Sequence, residues 1–60
     1  MDYKVIVVSD SSKSLAVNEL ERQVGKYIYD GWKPLGGVSV SRSDDGYFQK
    51  TVLAQAMIKE

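Results

Sequence analysis

Asp44 and Asp45 stand side by side ahead of Gly46, the one adjacent carboxylate pair in the chain. Paired carboxylates can hold Mg²⁺ or Ca²⁺, but hard cations need more oxygen ligands than this segment offers. Asp-Asp-Gly also suits a hairpin loop, where Asp bonds its own backbone and Gly supplies positive φ. The second chemical candidate is serine. Nucleophilic catalysis needs a base beside the hydroxyl, and the chain has no His and no Cys. Ser9, Ser11, Ser12 and Ser14 sit where a helix needs caps, and Ser39, Ser41 and Ser43 fall on or near a strand end. Gly36-Gly37 lacks the following Gly-Lys-Ser/Thr of a phosphate loop and reads as a strand bulge. What remains is a spread of aromatic and cationic side chains: Trp32, Lys33, Arg42, Tyr47 and Lys50. Stacking rings with a few cations suit a nucleotide or a short single strand. The competing reading puts Trp32 against a helix end, the lysines in solvent and Arg42 beside Asp44 and Asp45. These residues point to binding rather than catalysis, so no enzyme, no metal site and no cofactor are expected.

Four elements must position these residues. Val5-Ile6-Val7-Val8 makes Tyr3 to Val8 a strand with apolar groups on both faces. A helix is expected from about Ser14 to Asp30. Val17, Leu20, Val24 and Tyr27 recur at three and four, widened by Ala16 and Ile28, with Glu19, Arg22, Gln23 and Lys26 on the other side. Gly31 suits the left-handed position past its end, placing Trp32 against Tyr27. Gly25 costs up to ~1 kcal/mol against Ala in mid-helix. It is either tolerated or marks close approach by a strand or a second subunit. Lys33 to Ser41 forms the second strand, with Pro34 at its entrance. Arg42 to Gly46 is the expected loop, and Tyr47 to Lys59 the third strand. On that strand Phe48, Val52, Ala54, Ala56 and Ile58 lean to one face, and Tyr47, Leu53 and Met57 to the other.

A helix between the first two strands makes them parallel, and a hairpin makes the third antiparallel. The simplest unknotted arrangement is a single α+β domain over residues 1–60. It is a β-α-β-β unit with a three-stranded sheet ordered 1-3-2 and one helix on one face.

Size and composition set the remaining expectations. A 60-residue core supplies only ~3–5 kcal/mol, and such domains usually carry a staple. Without Cys or His, disulfides are excluded and zinc nearly so. Oligomerisation remains, as a dimer or larger. One helix covers one face of three strands, so the uncovered face or the edges are expected to bury against other copies. The interface candidates are Val5, Val7, Gly25, Tyr29, Leu53 and Met57. Eight Lys plus Arg balance eight Asp plus Glu, which argues against duplex nucleic acid. No apolar run approaches the roughly 20 residues of a membrane span. No signal-peptide pattern opens the chain. A soluble, cytoplasmic protein is the expectation.

The segments Tyr3-Lys4-Val5, Val17 to Val24, Gly31-Trp32 followed by Gly36-Gly37-Val38, and Ala54-Gln55-Ala56 together resemble a family of very short bacterial and phage proteins. That family is catalogued as a domain of unknown function, and the resemblance spans essentially the whole chain. It implies the same β-α-β-β fold and a phage or prophage origin, and it carries over no catalytic residue. Two functions follow as expectations. One is a self-assembling protein that holds a small anionic, nucleotide-like ligand between subunits, with Gly36, Gly37, Arg42, Tyr47 and Lys50 as contacts. In a phage setting the ligand would be a host nucleotide signal. The other is a module that binds a host or phage protein through its sheet face or edge.

Overall fold

The computed structural model describes residues 1–45 and 48–60, with side chains described apart from those of 44, 45 and 48. Strand β1 spans Asp2–Asp10, helix α1 Lys13–Tyr29, strand β2 Lys33–Asp45 and strand β3 Phe48–Lys59. The sheet order is β1-β3-β2, with β3 antiparallel to both neighbours, as the sequence predicts. The molecule is elongated, 42 × 17 × 14 Å.

Both ends of α1 follow from local chemistry. Asp10 Oδ1 accepts the Ser12 N–H at 3.0 Å, an Asx turn that ends β1. Ser12 is extended, and its hydroxyl accepts the Leu15 N–H at 3.5 Å. That is the N-cap bond to the third helical residue. At the other end Gly31 has φ +96°. The Trp32 N–H donates to Tyr27 O at 2.9 Å, and the Gly31 N–H to Ile28 O at 3.0 Å. These two bonds define a Schellman motif. Its apolar contact is present too: the Tyr27 and Trp32 rings meet edge to face at 6.1 Å. Lys4 Nζ lies 4.2 Å from the Tyr27 centroid and 5.2 Å from that of Trp32, a cation–π contact to both rings.

The core lies between α1 and the sheet. Ile6, Val8, Ala16, Leu20, Leu53 and Met57 are buried, with Val17, Val24, Tyr27 and Trp32 packed against them. Strand register decides this membership. Val8 stands opposite Leu53, Ile6 opposite Gln55 and Lys4 opposite Met57. Side chains alternate faces along a strand, so these residues share the helix side. Leu53 and Met57 were expected at an oligomer interface. The structure corrects this: at 2% and 0% exposure they form the floor beneath α1.

Two boundaries also differ from expectation. The Arg42–Gly46 loop is largely strand. Arg42, Ser43, Asp44 and Asp45 pair with Thr51, Lys50, Gln49 and Phe48, and β2–β3 pairing runs past the end of β1. The expected Gly46 turn position and Tyr47 lie outside the described residues. The Gly36-Gly37 irregularity is a true register shift. Leu35 pairs with Ala56 and Ser39 with Ala54, so β2 uses four steps where β3 uses two. Gly36 takes φ +75° there, a conformation only Gly adopts freely.

Candidate interaction surface

Among the described residues none covers the sheet face opposite α1. The register lays its side chains in rows across three strands: Tyr3–Ile58–Lys33, Val5–Ala56–Leu35, Val7–Ala54–Ser39 and Ser9–Val52–Ser41. Tyr3, Val5, Val7 and Leu35 are 63%, 50%, 61% and 50% exposed. Lys33 carries the single charge in these four rows, so an apolar strip runs across the sheet centre. Val5 and Val7, expected at an oligomer interface, lie exposed on this face. Val52, Ala54, Ala56 and Ile58, assigned to one face of strand three, complete it.

The whole molecule exposes more surface than its size requires. Folded monomers of this mass expose about 3,900 Å², and this chain exposes 4506 Å². The surplus, about 600 Å² per chain, approaches the ~800 Å² each partner buries in a standard interface.

The other expected interface residues lie elsewhere. Tyr29, on the last turn of α1, is 92% exposed and away from the open sheet face. Gly25 is exposed, and a Cβ built on it would meet nothing within 4 Å. Close approach by a strand of the same chain is therefore not its reason.

The expected ligand contacts do not form one site within the chain. Gly36 and Gly37 line a groove between β2 and α1 with Leu20, Val24, Ile28 and Val38. Arg42 is several residues away on the helix side of β2. It lines a hollow with Lys13, Val40, Ser41 and Thr51. Lys50 pairs with Ser43, which puts it on the opposite face from Arg42. Tyr47 is outside the described residues. Lys13 was not singled out from sequence, because it reads as an ordinary first-turn lysine. Only the fold carries Arg42 to the start of α1.

Among the described side chains Gln55 is the one buried polar group, 5% exposed. Its Nε2 donates to Leu35 O at 3.3 Å, Gly36 O at 3.2 Å and Ala56 O at 3.0 Å. It thus ties the central strand to the Leu35 and Gly36 carbonyls at the register shift. On the outer face of α1, hydrogen bonds from Arg22 and then Gln23 hold the Glu19 carboxyl down at about 2. Glu19 is 42% exposed and Arg22 66%, so this is a surface cluster on the helix and not part of a site.

Among the described residues no group of three or more acidic or other ligating side chains could hold a metal ion. No described helix is long and apolar enough to cross a membrane. Comparison with protein-family models, curated proteins and solved structures finds no match to this chain.

Proposed function

We propose that this chain is a non-enzymatic, self-assembling binding domain that packs its open sheet face on a second copy. The observation that supports this is the apolar strip from Val5 and Val7 through Ala54 and Ala56 to Leu35, which carries no charge at its centre. A second sheet laid on it would make a two-layer sandwich with side chains from both inner faces interdigitating. Sixty residues gain from this, because each copy supplies the layer the other lacks.

Sedimentation equilibrium tests the reading. The wild type is expected to be a dimer or larger at micromolar concentration. Ala54→Lys puts an ammonium at the strip's centre, where burial would leave it unpaired. That variant is expected to dissociate at least tenfold more readily while keeping its far-ultraviolet circular dichroism. A monomeric wild type at micromolar concentration overturns the proposal.

A second reading rests on Arg42 and Lys13, which share a hollow near the first turn of α1. Two cations and the positive end of a helix favour an anion. In this reading the assembled protein holds a small phosphate-rich ligand. With inorganic pyrophosphate as the probe, calorimetry is expected to show Arg42→Ala binding at least tenfold more weakly than the wild type. Equal affinity removes Arg42 from that role.

A further inference from the structure

A three-stranded sheet has two outer edges, and here they differ. The outer strand β2 is broken for pairing. Pro34 lacks a donor, Gly36 takes positive φ, and the register slips between Leu35 and Ser39. Such features blunt an edge. The other outer strand, β1, has none of them. All nine residues from Asp2 to Asp10 pair regularly with β3, without Pro, Gly or bulge. Its interior holds one charge, Lys4, and that ammonium lies over the Tyr27 and Trp32 rings. The residue type that usually guards an edge is turned inward onto the helix end.

We infer that a second copy pairs with the outer edge of β1, antiparallel, about a twofold axis at Val7. The inference deepens the self-assembly reading by naming a contact, and it does not require the open faces to pack. Charge selects the register. Each strand must keep its helix on the same side as its partner's, so the alignment shifts only in steps that preserve the side-chain faces. A twofold at Ile6 would set Asp2 against Asp10 of the other copy, twice. A twofold at Val7 keeps the aspartates apart, with Ile6 opposite Val8 on the helix side and Val7 opposite itself on the open side. Like charges directly opposite across a strand pair destabilise it. The result is one six-stranded sheet whose two apolar strips are continuous.

Cysteine cross-linking tests the register, since the chain has no Cys of its own. In this pairing the two Val7 Cα atoms lie within disulfide reach, about 4.5–5.5 Å. Packed sheet faces would hold them about 10 Å apart. Val7 is exposed, so Val7→Cys leaves the core intact. With oxidised glutathione, native Val7→Cys is expected to form a covalent dimer at least tenfold faster than Val5→Cys. Equal rates, or a native Val7→Cys chain that stays monomeric, overturn the inference.

Amide exchange reads the same contact without substitution. Every amide from Lys4 to Val8 is expected to be protected in the wild type, while alternate amides of β2 exchange fast. Fast exchange at alternate β1 positions overturns the pairing. The double variant Val7→Cys/Ala54→Lys separates the two interfaces. Cross-linking that survives Ala54→Lys supports the edge contact even if the faces never pack, and its loss there overturns the edge as an independent contact.

Discussion

Met57→Ala is expected to leave the chain largely unfolded at 25 °C. Met57 is fully buried, on the central strand and beneath α1. Truncating a buried Met to Ala costs about 2–5 kcal/mol, part of it for the cavity left behind. A single core of this size nets only ~3–5 kcal/mol. The two figures overlap, so the variant lies at or below the folding threshold. Urea denaturation followed by circular dichroism checks this. A midpoint within experimental error of the wild type would mean that the Met57 site collapses without cost. Because self-association stabilises the folded chain by mass action, the two proteins must be compared at one concentration.

Gln55→Ala is expected to lower stability nearly as far, by a different route. The Gln55 amide serves the Leu35 and Gly36 carbonyls at the register shift. Removing the donor strands acceptors in a half-buried setting, at about 1–3 kcal/mol for each one left unmet. The damage should also be local. Amides of residues 35–39 are expected to lose exchange protection before those of β1, as a regional opening does. Uniform loss across the sheet would show that Gln55 contributes only to global packing.

The residues that were legible in the sequence are those whose signals act locally. Val17, Leu20, Val24 and Tyr27 repeat at helical spacing, and α1 falls within one residue of expectation at each end. Gly31-Trp32 is a short-range motif, and the bonds from Gly31 and Trp32 to Ile28 and Tyr27 close as foreseen. The strand order followed from connection rules once the elements were placed.

The misassigned residues are those whose role depends on register. Strand β3 carries apolar side chains at both parities, so alternation alone could not say which set faces α1. Leu53 and Met57 went to the wrong side of the argument for that reason, while Ala54 and Ala56 were the open-face residues. The bulk of the first pair was the missed signal, since a lone helix must be met by large side chains. Gln55 sits between them in the same parity, and the sequence grouped it with Gln49 and Thr51 without marking it as buried. The Arg42–Lys13 hollow had no sequence signal, because it depends on how far β2–β3 pairing extends beyond the expected loop.

The register shift at Gly36–Val38 inserts two residues into β2 relative to β3. Two is the repeat of a strand, so the insertion is invisible to the faces on either side of it. Leu35 below and Ser41 above both remain on the open side. The segment therefore works as an expansion joint. Chain length can change there in pairs without exchanging inside for outside, whereas a single-residue change would turn Val38, Val40 and Arg42 over together. The fold has a built-in place to lengthen or shorten β2, and only even changes at that place preserve the open strip.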